Sequence, residues 1–311
     1  MTVVIVTRDR PKDFSRCISS LEAARLDILE VIVIDDASKT APSADESTLQ
    51  VRILRNEKRS FLSESRNRGA KNARGKYIMF IDDDNIVDGE SIKKLSSSLE
   101  SDSHEAVASP AICYTSQPTK VWFAGGRIGS VSGFFVAAFR GLDSSELPRA
   151  RYHTEVFHDA FMVKKDAFDR VGYFDDVGFP MYLSEADFAA RLRENNMSAI
   201  VVPDARVWHS IAPLQGAASL LRGVHITEPA RAYFVGRNRL LYMRKHAKAR
   251  SFLIHVAVFE PVIISIHLFA MLSGDSKVPR TQLFGPYLRG LFDGLSGRVR
   301  LGRQLLKSSG E

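Results

Sequence analysis

Short β-branched runs alternate with helical patterns through the first hundred residues, and few architectures other than βα units feeding a parallel sheet accommodate that alternation. Strands are expected at residues 3–7, 31–35 and 76–81, and helices at residues 12–24 and 63–74. Each of these strands ends in polar residues. Ligands of open α/β sheets bind outside the carboxyl ends of the strands, so Thr7, Arg8, Asp35, Asp36 and the run Asp82, Asp83, Asp84 should converge on one crevice.

The segment Tyr77-Ile-Met-Phe-Ile-Asp-Asp-Asp-Asn85 is an apolar strand that runs into three consecutive carboxylates. Like charges this close raise one another's pKa unless a cation occupies the site. Hard Mg2+ or Mn2+ takes carboxylate oxygens and keeps positions open for phosphate, a suitable way to hold a diphosphate. The plainer alternative is a helix N-terminus or a turn, where Asp and Asn are at home.

Composition sets the outer limits. With 311 residues, 45% hydrophobic and 25% charged, the chain can bury one large domain and carry an appendage. Its two cysteines, Cys17 and Cys113, lie in no C-x-x-C or Cys/His cluster, which supports neither a disulfide framework nor a zinc site and fits a reducing, cytosolic setting. The N-terminus enters an apolar stretch at Val3 without a charged leader, so no secretory signal is expected. The net charge of +7 is uneven: residues 205–311 hold 16 Lys/Arg against 5 Asp/Glu, and residues 1–204 hold 27 against 31. A basic surface suits a diphosphate, an anionic membrane or a nucleic acid, and charge alone does not choose among them.

The chain resembles family 2 glycosyltransferases of the GT-A fold, within them the rhamnosyltransferase-like group. The resembling segments are Val4-Ile-Val-Thr-Arg-Asp-Arg-Pro11, Val31-Ile-Val-Ile-Asp-Asp-Ala-Ser38, Ser65-Arg-Asn-Arg-Gly-Ala70, the Asp82 to Asp84 cluster, Val171-Gly-Tyr-Phe-Asp-Asp176, Ser184-Glu-Ala-Asp-Phe188 and Val207-Trp-His209. Each is short; their order and spacing together are specific. The resemblance implies an α/β, Rossmann-like mixed sheet over residues 1–210, with a nucleotide-sugar half at 1–105 and an acceptor half at 106–210. It also implies an inverting, metal-dependent, nonprocessive enzyme that moves a sugar from a nucleotide-diphosphate donor to an acceptor hydroxyl.

Carried over residue by residue, Thr7, Arg8 and Asp36 would hold the nucleoside, and Arg66 the diphosphate through its guanidinium fork. Asp84 would ligate Mn2+ or Mg2+, with Asp82 nearer the ribose and also toward the metal, Asp83 binding the donor within the same motif, and His209 closing the metal shell. Glu185 would be the general base, with Asp187 the second candidate; Ser184 stands where the family carries a first acid. Plainer readings exist for each: an Asx-turn for Asp36, a solvated helix face for Arg66, a packed histidine for His209, and for Ser184, Glu185 and Asp187 a capped helix N-terminus. His158-Asp159 replaces a pair of small residues on the acceptor side of the family, so acceptor identity does not carry over by analogy.

Residues 211–311 form the expected basic helical extension. Residues 252–272 are 21 mainly apolar positions, long enough to cross a bilayer, yet they include His255, Glu260, Pro261, Ser265 and His267. A central acidic residue costs about 2.5–3.5 kcal/mol even on the lenient insertion scale. An interfacial or partly embedded helix fits better than a clean span. Basic residues before it and from Lys277 to Lys307 after it would favour an anionic leaflet by about 1 kcal/mol each. The expected setting is therefore peripheral, on the cytoplasmic face of the cell membrane, with a lipid-linked or envelope glycan acceptor; the competing reading is a helical hairpin closing the core, or a homodimer interface. A nucleotidyltransferase would share the metal and phosphate chemistry but should carry an early Gly-rich loop, and a nucleic-acid binder should carry a reading motif. Neither feature is visible.

Overall fold

The computed structural model describes residues 1–24, 28–211, 226–273 and 278–299. Arg222, Lys277 and the basic residues of 300–311, expected to favour a membrane, lie outside the described residues. The chain divides into two compact units, one of Met1–Arg127, Val136–Phe174 and Glu185–Ala212, the other of Ile128–Phe135, Asp175–Ser184 and Pro213–Glu311.

In the first unit the described residues form a ten-stranded mixed sheet. Strands β1 (Thr2–Thr7), β2 (Glu30–Asp35), β3 (Val51–Arg55) and β4 (Tyr77–Asp82) run parallel in the spatial order β4-β1-β2-β3. The Val/Ile runs of β1, β2 and β4 are buried on both faces because helices cover the sheet. Helix α1 (Pro11–Ala23) begins with a proline that has no N–H to leave unpaired and buries Phe14, Cys17, Ile18 and Leu21 on one stripe. Helix α2 (Phe61–Asn72) lies close to β1: a Cβ on Gly69 would meet Val4 Cγ1 at 2.3 Å. The short β5 (Asn85–Val87) leads into α3 (Gly89–Ser101), capped by Asp88 through a hydrogen bond from Ser91 N–H.

The second half of the sheet is built from β6 (Glu105–Tyr114), β7 (Gln117–Phe123), β10 (Tyr152–Thr154), β11 (Ala160–Lys164) and β12 (Ser198–His209), while β8 (Gly126–Ile128) and β9 (Phe135–Ala137) make a separate ribbon. Strand β11 inserts antiparallel between β4 and β6, and β12 runs parallel to β6. Helix α4 (Lys165–Val171) follows β11, and α5 (Ser184–Glu194) precedes β12. Phe80, Phe161, Phe168, Phe174 and Phe188 stack edge-on and face-on beneath this half of the sheet.

The second unit is helical. Helix α6 (Pro229–His246) is followed by α7 (Ala249–Ile254), a π-turn over His255–Phe259, and α8 (Glu260–Ser273); the last described helix is α9 (Thr281–Ser296). Helices α6 and α9 approach closely because Gly236, Gly290 and Gly294 leave room for backbone, and a Cβ on Gly290 would meet the Tyr233 carbonyl oxygen at 2.2 Å. The apolar run expected at 252–272 is thus helical, interrupted only by the π-turn.

Candidate active site

Parallel pairing puts the ends of β1, β2 and β4 side by side, since Thr7 faces Asp35 and Val6 faces Asp82 in register. The polar residues that terminate these strands meet at one edge of the sheet, as the sequence pattern implies. Thr7 Oγ1 donates to Asp83 Oδ2 at 2.7 Å. Arg10, just ahead of α1, reaches across to Asp83 Oδ1 at 3.1 Å and Asp84 Oδ2 at 2.9 Å. Nothing in the sequence pattern marks Arg10 as part of the site, because only the turn after β1 aims it at the carboxylates.

Two other strands complete the cluster. The end of β12 pairs antiparallel with β5, placing His209 opposite Asn85, and Ser210 N–H donates to the Asp84 carbonyl at 2.8 Å. His209 Nε2 consequently lies 3.3 Å from Asp84 Oδ2. On the other side of the imidazole, Nδ1 lies 3.4 Å from Asp159 Oδ2. Asp159 is held just before β11 at a φ of +49° and accepts a hydrogen bond at its carbonyl from Asp82 N–H. Its other carboxylate oxygen faces His158 Nδ1 at 2.9 Å. Trp122 packs edge-on against the His209 ring, centroids 4.6 Å apart.

Arg66 joins the carboxylate cluster to α5. Its side chain is fully buried; one guanidinium nitrogen donates to Asp82 Oδ1 at 2.8 Å and another to Glu185 Oε1. The arginine expected on a diphosphate therefore sits between the metal-motif carboxylate and the expected base. Asp187 is buried too, but its partner is Arg191 Nε at 2.9 Å, and Arg191 also binds the carbonyls of Val171 and Tyr173. That arrangement ties the chain after α4 to α5 and gives Asp187 a structural anchor of its own. Asp36 spends its carboxylate on Asn56 Nδ2 and on the N–H groups of Ser60 and Phe61 at the start of α2. Arg8 is half-exposed and lies 3.8 Å from Asp9.

Burial and mutual repulsion set the charge states. Burial pushes Asp82 up, against the pull of Arg66 and with the push of Asp159 and Asp84, to about 7; burial likewise lifts Asp83 to about 6 despite Thr7 and Arg10. For Asp84, burial is outweighed by His209 and Arg10, and its carboxyl falls below the ordinary range. Burial also opposes the charge on Glu185, yet Arg66 and His158 hold its carboxyl below the ordinary value. His158 rises to about 9, burial being overcome by Asp159, Glu185 and Asp82, and His209 rises beside Asp84 and Asp159.

A hard divalent ion needs several oxygen or imidazole donors set about 3 Å apart. Asp84 Oδ2 and His209 Nε2 are separated by 3.3 Å, close to the roughly 3 Å between neighbouring ligands of an octahedral ion. Asp82, expected on the metal as well, gives Oδ1 to Arg66. Among the described residues no group of three His, Cys, Asp or Glu side chains is gathered around a common point. Two side chains, Asp84 and His209, would fit such an ion, and the same Asp84 Oδ2 also accepts from Arg10 at 2.9 Å.

Residues 2–172, more than half of the chain, match the model of glycosyl transferase family 2. An uncharacterized glycosyltransferase of Haemophilus influenzae is 29% identical over 96 residues, which cover 30% of this chain and only 33% of that protein. Of the solved structures, GalNAc-T7 with UDP, GalNAc and Mn2+ aligns at a TM-score of 0.56 and 18% identity over 68% of this chain and 43% of its own. Residues 1–349 of S. aureus TarS with UDP-GlcNAc align at 0.57 and 15% over 96% and 83%. The mannosyltransferase PcManGT of Pyrobaculum calidifontis with GDP-Man and Mn2+ aligns at 0.53 and 16% over 100% and 87%. At these identities the structural likeness speaks for the fold, which is GT-A. With the sheet, the strand-end carboxylates and the family match in agreement, the chain belongs to glycosyl transferase family 2.

Proposed function

We propose that the protein is an inverting, nonprocessive glycosyltransferase that moves a hexosyl or rhamnosyl group from a nucleotide-diphosphate sugar to a hydroxyl of a lipid-linked or envelope-bound glycan, at the cytoplasmic face of the cell membrane. The observation that carries this reading is the meeting of Asp84, His209, Arg66 and Glu185 at the carboxyl edge of a GT-A sheet. The UDP-GlcNAc, GDP-Man and Mn2+ with which the structural neighbours were solved support the donor class. The rhamnosyltransferase-like order of motifs supports the sugar class.

A divalent cation held by Asp84 and His209 would neutralise charge on the leaving diphosphate. The remaining work falls to side chains. Glu185 accepts the proton of the acceptor hydroxyl as its oxygen bonds to the anomeric carbon on the face opposite the diphosphate. The bond from that carbon to the diphosphate oxygen breaks, the configuration inverts, and the nucleoside diphosphate leaves with the bonding pair. Arg66 aims the Glu185 carboxylate and keeps it ionised, which readies it to accept a proton at neutral pH. Thr7 and Arg10 hold Asp83 and Asp84 in place.

The test is a panel of UDP-, GDP- and dTDP-sugars with purified protein and Mn2+, reading donor hydrolysis and thermal stabilisation. One nucleotide should stabilise the fold and its sugar should be released, and chelation should abolish both effects until Mn2+ or Mg2+ is returned. If no nucleotide sugar stabilises or reacts under any of these conditions, the proposal fails.

A further inference from the structure

The helical unit separates polar from apolar side chains along α7, the π-turn and α8 more sharply than the composition of that stretch suggests. His255, Glu260 and His267 are all buried and all have partners within the unit. Glu260 receives a two-pronged contact from Arg239 of α6, Nη2 to Oε1 at 2.8 Å and Nε to Oε2 at 3.1 Å, and His255 Nε2 lies 3.0 Å from Oε2. His267 Nδ1 is 2.9 Å from the Tyr287 hydroxyl of α9. The opposite face presents Leu253, Val258 and Val262, which are 67%, 56% and 54% exposed, followed by Ile266 and Leu272. The step of five residues from Leu253 to Val258 spans the π-turn, whose extra residue keeps the stripe on one face before the spacing returns to four. The exposed hydroxyl of Ser265 donates to the Pro261 carbonyl of its own helix at 2.9 Å.

Exposed cations flank this stripe along the chain. Lys248 immediately precedes α7 and Arg250 lies in its first turn, while Arg280 immediately precedes α9 and Arg289 lies within it; none forms an ion pair among the described residues. We infer that this face is a monotopic membrane-docking surface, lying in the plane of an anionic bilayer with the stripe among the acyl chains and the cations at the headgroups. An apolar insertion and a basic patch together supply the two signals that stable peripheral binding requires. The charge complement favours anionic lipid over a second copy of the chain, which would bring four more like charges against these four. Crossing the bilayer is a different matter. It would strip the rod from α6 and α9, leaving Glu260 and Arg239 without each other in a medium that penalises an unpaired charge heavily.

The inference does not depend on the transfer reaction and is tested without it. The 311-residue chain is sedimented with vesicles of phosphatidylcholine alone or mixed with phosphatidylglycerol, at low and high salt. Wild type should pellet with the mixed vesicles at low salt, and salt should release part of it. Val258→Glu combined with Val262→Glu should lower binding at least tenfold while circular dichroism and melting temperature stay unchanged, since both positions face outward. Lys248→Gln with Arg250→Gln should weaken binding about thirtyfold at low salt, two charges at about 1 kcal/mol each. Alkaline carbonate should extract the bound wild type; retention would show a spanning segment and overturn the in-plane arrangement. Wild type left in the supernatant with every vesicle overturns the docking surface, and a dimer that the paired glutamates split would assign the stripe to a second copy.

Discussion

Glu185 and Asp187 are both buried acids in the first turn of α5, and their partners separate their roles. Glu185 answers to Arg66, which also grips Asp82 in the strand-end cluster, whereas Asp187 answers to Arg191 and through it to backbone carbonyls. Glu185→Gln keeps shape and hydrogen-bond reach but removes basicity, so turnover should fall by about 10² or more while nucleotide affinity, measured calorimetrically, stays nearly intact. Asp187→Asn should instead lower the melting temperature, because the half-buried Arg191 loses the counter-charge of a buried carboxylate. The reverse pattern would exchange the two roles. Asp159 offers a third test. An imidazole that gives Nε2 to an ion must carry its proton on Nδ1, and Asp159 Oδ2 stands 3.4 Å from that nitrogen with no other hydrogen-bond partner. Asp159→Ala should weaken Mn2+ affinity about 10- to 100-fold in a titration by isothermal calorimetry, without nucleotide present. Unaltered affinity would remove Asp159 from the support of His209.

At the scale of elements, strand ends were legible and cross-sheet pairing was not. The β1, β2 and β4 runs announce themselves through consecutive Val and Ile, and the acids that follow them are local. Strand β3 carries Arg52 and Arg55 at its exposed positions and has no such signature. The insertion of β11 between β4 and β6 brings Asp159 beside Asp82, and the pairing of β12 with β5 brings His209 beside Asp84; both depend on contacts distant in sequence. His209 was reachable from the sequence through family resemblance alone, and the Arg66–Glu185 contact, 119 residues apart, was not reachable by pattern. Glycine placement is a further element-scale feature that composition hides. Gly69 lets α2 settle on β1, and α2 carries Arg66, so Gly69→Ala forces a methyl group onto Val4 and should cost about 1–3 kcal/mol in chemical denaturation. Gly290→Ala presses a methyl group onto the Tyr233 carbonyl between α6 and α9 and should destabilise the helical unit by a similar amount.

For the whole molecule, the carboxylate cluster links folding stability to pH and to the cation. The folded state raises Asp82 to about 7 and Asp83 to about 6, from an ordinary 3.8. Groups raised in this way contribute stability that is fully present below their unfolded pKa and lost as pH climbs through the folded values, here between about 4 and 7. His158, at about 9, and His209, also raised, act with the same sign from about 6.5 upward. Asp84 and Glu185 are lowered, so their share is present above about 4 and disappears as pH falls. Without a cation, the protein should therefore be most stable near pH 4 and should lose several degrees of Tm by pH 8, at roughly 2–4 °C per kcal/mol on the scale of a domain of about 150–250 residues. A divalent ion favours the ionised carboxylates, and its binding must displace their protons, so the stabilisation by Mn2+ with UDP or GDP should grow from pH 5 to pH 7. Scanning calorimetry in EDTA and in Mn2+ plus nucleotide measures both trends. Asp83→Asn keeps an oxygen for Arg10 and an amide for Thr7 while removing one repelling charge; it should flatten the EDTA profile, raise Tm at pH 7, and weaken the Mn2+-dependent increment. A wild-type profile that is level in EDTA, with an increment independent of pH, would show that the crowded carboxylates carry no such strain.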